Sequence, residues 1–210
     1  MCALPFDLSP DGLIRAYING FFPMAESRHG EVGWFRPEMR GAIELDNLRV
    51  SRSLRKVIRD QRFKVSVDDD FPAVIRLCGE LRDETWISDE IERAYIRLHS
   101  VGFAHSVECR IDSRLVGGLY GVSINGAFFG ESMFQTETDA SKVALVRLVE
   151  HLRQRGMVML DTQYLTPHLV SLGGIEIDRG EYERRLEHAL AAEVSFSDDT
   201  PRISVGRVEI

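Results

Sequence analysis

The chain has 210 residues, 44% hydrophobic and 28% charged, and Lys+Arg 26 against Asp+Glu 33 gives a net charge of −7. That length holds one large domain or a small one joined to a larger one, and the apolar share is enough to bury a core, which excludes global disorder. Mild acidity argues against indiscriminate coating of nucleic acid, and the apolar runs fall well short of the ~18–20 residues of a membrane helix.

The first residues, Met1 to Asp7, carry neither a basic stretch nor a long apolar one, so no secretory signal and no membrane association are expected. Cys2, Cys78 and Cys109 show no C-x-x-C spacing. A reducing, cytoplasmic setting with buried, inert thiols is the expectation.

In chain order, Leu13 to Ile18 after Asp11 predicts a helix stopped by Asn19-Gly20. Phe21-Phe22-Pro23-Met24 and Trp34-Phe35-Arg36-Pro37 read as aromatic-proline corners around a polar loop, Glu26 to Glu31, and Ala42 to Leu45 as a short strand. Ser51 is a good N-cap for Arg52 to Gln61. Leu54, Val57, Ile58 and Gln61 share one face of that helix, and Arg52, Arg55, Lys56 and Arg59 the opposite one. From Arg49 to Lys64 seven bases face one acid, a local +6 that leaves −13 for the rest. A solvated helix face and a phosphate-backbone footprint are both open readings of it.

Phe63 to Val67 alternates as a strand does, Phe71 to Cys78 and Ile91 to Leu98 are short helices, and three strands follow at Ala104 to Ile111, Leu115 to Val122 and Ala127 to Phe134. Asp112-Ser113 and Ile124-Asn125-Gly126 are the turns between them. Asp139 is placed to cap a helix from Ala140 to Arg155, which Gly156 ends. Met157 to Leu160 is an apolar strand that delivers Asp161-Thr162-Gln163, and a last helix runs from about Glu181 to Ala191 before an extended tail. The pattern gives an α+β fold with a mostly antiparallel central sheet.

Standard catalytic signatures are nearly absent. Gly130-Glu131-Ser132-Met133-Phe134 lacks the final glycine of a nucleophile elbow, and His99, His105 and Cys109 match no common zinc spacing. Arg114 to Leu119 half-matches the pyrophosphate loop of acyl-CoA N-acyltransferases, but it ends in Leu119 and continues as a strand, so no helix N-terminus is on offer to the anion. Glu131 lies inside an apolar strand and Asp161 closes another. Each calls for a cation or donor, supplied by the fold or by a substrate.

Eight blocks then occur in order: Gly20-Phe21-Phe22-Pro23, Trp34-Phe35-Arg36-Pro37, Thr85-Trp86-Ile87, His105-Ser106-Val107-Glu108, Leu115 to Val122, Gly130 to Phe134, Ala140-Ser141-Lys142 and Asp161-Thr162-Gln163. From about Leu13 to Leu186 the sequence resembles leucyl/phenylalanyl-tRNA–protein transferases. The resemblance implies an enzyme that moves Leu, Phe and less readily Met from aminoacyl-tRNA to proteins with N-terminal Arg or Lys, marking them for N-end-rule degradation. It implies a small N-terminal α/β domain, placed at residues 1–62 with the basic helix at its end, and a catalytic domain at 63–210 of the acyl-CoA N-acyltransferase (GNAT) type without CoA.

By the same resemblance, Trp34 and Trp86 lie near the terminal adenosine, Glu131, Asp161 and Gln163 surround the reacting centre, and Arg52, Arg55, Lys56 and Arg59 meet the acceptor stem. Leu119, Phe128, Met133, Leu145, Leu148, Leu152 and Leu160 are implied to surround the donor side chain. Leu148 and Leu152 stand where well-known members carry Phe, which implies a wider pocket. Thr162 and Thr166 also depart from the family pattern, in which Cys follows the Asp and Asn comes further on.

The reaction is aminolysis of an activated ester and calls for no ATP, metal or redox cofactor; positioning and proton management are the enzyme's work. Asp161 with Gln163 is expected to orient the amine and help move its proton, with a substrate hydroxyl as the rival shuttle, and Glu131 to hold an amine or the cationic acceptor. A monomer is expected. Two other classes compete, a CoA-dependent N-acyltransferase and a non-catalytic module that binds tRNA or protein N-termini.

Overall fold

A computed structural model of the chain describes residues 6–82 and 84–203; Cys2, the start of the chain and the end of the expected tail lie outside them. In chain order the elements are α1 (Pro10–Ile18), β1 (Phe22–Ala25), β2 (Val32–Phe35), β3 (Met39–Ile43), α2 (Arg52–Arg59), β4 (Lys64–Val67), α3 (Phe71–Glu80) and α4 (Asp89–Ser100). Then come β5 (Ala104–Ile111), β6 (Arg114–Ile124), β7 (Ala127–Gln135), α5 (Ala140–Gln154), β8 (Met159–Gln163), α6 (Pro167–Ser171), β9 (Gly174–Asp178) and α7 (Arg179–Ala191).

Local chemistry accounts for most boundaries. Ser9, Ser51, Ser88 and Thr166 cap α1, α2, α4 and α6 through their side-chain oxygens. Asp112 and Asn125 take positive φ in the turns flanking β6, and Gly156 does so just after α5. Asp139 differs from expectation: its φ is 70°, it makes no side-chain cap, and its carboxylate holds Lys142 Nζ at 2.8 Å instead.

Seven strands form one sheet in the order β4-β5-β6-β7-β8-β3-β9, with β7–β8 parallel and the other pairs antiparallel. The α+β class and the mostly antiparallel sheet are therefore as expected. α5 supplies the crossover that a parallel pair needs. One face of the sheet buries Leu13, Phe71, Tyr95 and Leu186 from α1, α3, α4 and α7; the other buries Leu54, Leu148, Leu152 and Leu169 from α2, α5 and α6.

Three features differ from the sequence expectation. The aromatic-proline corners are the two paired strands of a hairpin, β1 and β2. α6 and β9 are too short and mixed in character for periodicity to reveal them. The expected boundary at residue 62 is crossed by the sheet: β3, drawn from the first 62 residues, lies between β8 and β9, because its buried Gly41, Ala42 and Ile43 pair on both edges.

The remaining motifs find structural partners. His105 stands between Asp68 (2.7 Å) and Thr200 (3.1 Å), fastening the C-terminal segment to β5. Gly117 lies where α5 begins: a Cβ there would sit 2.4 Å from Cβ of Ala140. The glycine of the half-matched loop thus serves close strand–helix packing.

Gly117→Ala is expected to force α5 away from β6. Overpacking of this kind costs about 1–3 kcal/mol, which at roughly 2–4 °C per kcal/mol for a chain of this size lowers Tm by about 2–12 °C. A calorimetric melt checks it; an unchanged Tm would show that the junction has slack.

Candidate active site

β7 and β8 are paired only from Ala127–Met159 to Phe129–Asp161, and beyond that point they part. The parting opens a cleft of about 360 Å³. α5 contributes Leu145 and Leu148 to its wall, β6 and β7 contribute Leu119 and Met133, and β8 contributes Leu160. The hairpin adds Phe22 and Met24, and the loop before α4 adds Trp86. The size and apolar lining are those of a small-ligand site.

Glu131 faces this cleft because of a bulge. Tyr120 pairs with Ser132 and Gly121 with Gly130, so Glu131 is an extra residue on β7 without a partner across the ladder. Bulges of this sort re-aim side chains beside functional sites. Its Oε1 accepts hydrogen bonds from Tyr17 Oη (2.8 Å) and Gln163 Nε2 (3.0 Å), and its Oε2 from Tyr95 Oη (3.2 Å). The Tyr17 and Tyr95 hydroxyls also touch each other.

Burial pushes the Glu131 carboxyl up to about 8, and the nearby Asp161 charge adds to the rise, against the lowering effect of both tyrosine hydroxyls and Arg40. Proton counting gives the same direction. The Glu131 carboxyl and the two tyrosine hydroxyls make three mutual contacts. Two phenolic protons leave one contact without a hydrogen, whereas a protonated carboxyl supplies all three. Burial likewise raises both tyrosines well above their usual range, so they remain donors.

Asp161 does not line the cleft; it is fully buried behind it. Arg40, 1% exposed on β3, donates from Nε to both Asp161 oxygens (3.0 and 3.1 Å) and from Nη2 to Oδ2 at 2.7 Å. Arg40 Nη1 donates to the Gly20 carbonyl at 3.1 Å, and the guanidinium lies between the rings of Phe22 and Tyr182, 4.6 and 4.5 Å from their centroids. Burial opposes its charge, but Asp161 and the neighbouring groups outweigh it and hold the guanidinium protonated above its usual range. Tyr182 Oη donates to Asp161 Oδ2 at 2.8 Å, and the backbone N–H of Gln163 donates to Oδ1 at 2.8 Å. That last bond holds Gln163 at φ 57°, a backbone region glutamine seldom adopts, and sends its amide to Glu131.

Of the pair expected at the amine, Gln163 lines the cleft and Asp161 lies behind it, joined to Gln163 through the backbone N–H. Trp86 lines the cleft; Trp34 does not, and packs edge-on against Phe6 at 5.4 Å. Leu119, Met133, Leu145, Leu148 and Leu160 line it, whereas Phe128 and Leu152 are fully buried core residues behind the wall. Arg52, Arg55, Lys56 and Arg59 are exposed on α2, and none of them lines the cleft. Sequence reading missed Arg40, Tyr17, Tyr95 and Tyr182. An arginine within the short apolar run Met39–Ile43 was the one available signal. Three cleft-lining residues also carry a buried polar atom without a partner among the described residues: Tyr120 Oη, Thr162 Oγ1 and His168 Nε2.

A family model described as "Leucyl/phenylalanyl-tRNA protein transferase" matches residues 42–187, and one for that family's N-terminal domain matches residues 6–38. Two curated relatives carry the name leucyl/phenylalanyl-tRNA–protein transferase. That of Cereibacter sphaeroides is 52% identical, covering 93% of this chain and 91% of its own length. That of Chlorobaculum tepidum is 50% identical, covering 89% of this chain and 97% of its own. Among solved structures, a ribosomal-protein-alanine N-acetyltransferase from Brucella melitensis biovar Abortus 2308 aligns at TM-score 0.35 and 14% identity, covering 68% of this chain and 99% of that one. That last likeness is too slight to carry an argument.

Asp161→Asn removes the countercharge of a buried guanidinium and is expected to cost about 3–5 kcal/mol in urea unfolding. Adding Arg40→Met should restore part of the loss. A wild-type midpoint for the single variant would show that the pair adds nothing.

The Glu131 carboxyl binds its proton more tightly in the folded chain (about 8) than its ordinary value of 4.5. The native state therefore holds the extra proton between these values, and stability falls as pH rises through that window, with a slope of up to about 1.4 kcal/mol per pH unit. Glu131→Gln should flatten this slope, as read by unfolding at pH 5, 7 and 9. A slope that persists in the variant would assign the titration to another group.

Proposed function

This chain belongs to the leucyl/phenylalanyl-tRNA protein transferase family, and from that premise we propose which substrates it takes and which residues serve the reaction. It is an aminoacyltransferase, with aminoacyl-tRNA as donor and the N-terminus of a protein as acceptor. In our reading the donor side chains are Leu and Phe, and less readily Met, and the acceptors begin with Arg or Lys and become N-end-rule substrates. The enzyme works as a monomer in the cytoplasm, where charged tRNA is found. We place the small N-terminal unit at about residues 6–38, before β3 enters the sheet.

The observation that carries this reading is the cleft: an apolar slot with the Glu131–Gln163 pair at its edge. Leu119, Met133, Leu145, Leu148 and Leu160 accept an unbranched-at-Cβ apolar side chain. A slot of this kind separates side chains differing by one methylene by only about 1–3 kcal/mol, so several donors are used. Trp86 offers the adenine a flat face.

The acceptor α-amine attacks the ester carbonyl; the N–C bond forms, the bond from the carbonyl carbon to the ribose oxygen breaks, and the proton shed by nitrogen ends on that oxygen. Glu131, at about 8, is matched to an α-ammonium at ~7.7–8.0, so proton exchange between them is close to thermoneutral. A cationic acceptor in the cleft also draws Glu131 toward its ionised form and gains a countercharge. Gln163 orients the reacting groups, and Asp161 with Arg40 positions Gln163.

Incubation with radiolabelled Leu-tRNA and an Arg-initiated peptide should move label to the peptide α-amine; no transfer would overturn the assignment. The exposed row Arg52, Arg55, Lys56 and Arg59 meets tRNA phosphates in this reading. Changing two of them to Ala should raise KM for charged tRNA and flatten its log–log salt dependence by roughly 0.7–0.9 per contact. Transfer from an aminoacyl-adenosine should respond far less. Equal losses with both donors would make the row structural.

A further inference from the structure

Arg82 leaves α3 on the loop that leads to Trp86 and stands exposed at the rim of the cleft. Its Nη2 donates to Ser132 Oγ at 3.0 Å and reaches the Met133 carbonyl at 3.5 Å, on the two residues that follow Glu131. By contrast, Arg28, Arg76 and Arg110 each face a carboxylate within 4 Å: Arg28 and Arg76 face Glu92, and Arg110 faces Asp69. Arg82 makes no such pair with a described residue. The guanidinium is anchored to β7 through one nitrogen, which leaves most of its five N–H donors for a ligand.

The kind of ligand follows from what shares the cleft. With the ester at Glu131 and Gln163 and the adenine against Trp86, the 5′-oxygen must point out of the cleft, because the rest of the tRNA leaves by that route. The first group on that path is a phosphate diester, and a guanidinium is the side chain best matched to two phosphate oxygens. The acceptor end, itself cationic, is repelled from the same place. On the aminoacyl-tRNA reading above, we propose that Arg82 binds the phosphate 5′ to the terminal adenosine and so sets the depth at which the ester enters the cleft. This contact is separate from the row on α2, whose residues do not line the cleft.

The test compares two small donors, the 3′-O-leucyl esters of adenosine and of adenosine 5′-(methyl phosphate), with one Arg-initiated peptide. The wild-type chain should prefer the phosphorylated donor, chiefly through KM. Arg82→Ala should cut that preference in kcat/KM about tenfold, and Arg82→Lys should keep part of it, since charge survives while the fork is lost. An equal loss with both donors, or a rise confined to the KM of the peptide, would overturn the assignment of phosphate to Arg82. Failure of the wild-type chain with both small donors and with Leu-tRNA would instead bring down the transferase reading, and this proposal with it.

Discussion

The ion pair between Arg40 and Asp161 is the constraint on which the site depends. Two buried charges cost several kcal/mol each in lost hydration and are tolerated only when their hydrogen-bonding capacity is met. Here Asp161 accepts from Arg40, Tyr182 and the Gln163 backbone, while Arg40 also donates to Gly20 and lies between two aromatic faces. The pair joins β3, β8, α7 and the turn after α1 at one point. Through the Gln163 backbone it fixes a left-handed residue and aims an amide at Glu131. The order of support runs from Arg40 to Asp161, to Gln163, to the carboxyl that faces the cleft.

The two carboxyls are therefore opposites. Asp161 has a permanent guanidinium partner and no access to the cleft. Glu131 has hydroxyls and an amide as partners, none of them charged, and access to the cleft. One is held in a buried ion pair by its neighbour. The other sits near 8, where, in the function proposed above, the arrival of a cationic acceptor changes its charge. Transfer from an already activated ester needs little more than this: a slot for the side chain, a group that exchanges a proton at the right affinity, and a frame that does not move.

The bulge at Glu131 shows how a one-residue irregularity decides the chemistry. Phe128 faces the core under α5 and Phe129 the core under α4, as alternation requires. Past the bulge, the odd-numbered Met133 faces the α5 side and the even-numbered Phe134 the other, so the parity has inverted. Strict alternation read from the sequence cannot assign Glu131 to a face, and the glycine at 130 is the only local hint of the irregularity.

Strand and helix periods, serine caps and turn residues placed most elements within a few residues, because these are properties of neighbours along the chain. β5 is legible to the residue, from Ala104 to Ile111. The eight ordered blocks were likewise legible; of the seven apolar residues expected around the donor side chain, five line the cleft while Phe128 and Leu152 lie in the core, because apolarity does not distinguish a wall from the core behind it. Tertiary structure alone decided the charges. Arg40 and Asp161 lie 121 residues apart in sequence, Tyr17 and Glu131 114. Electrostatic energy depends on separation in space and on burial, and neither is written in the spacing of residues along a chain.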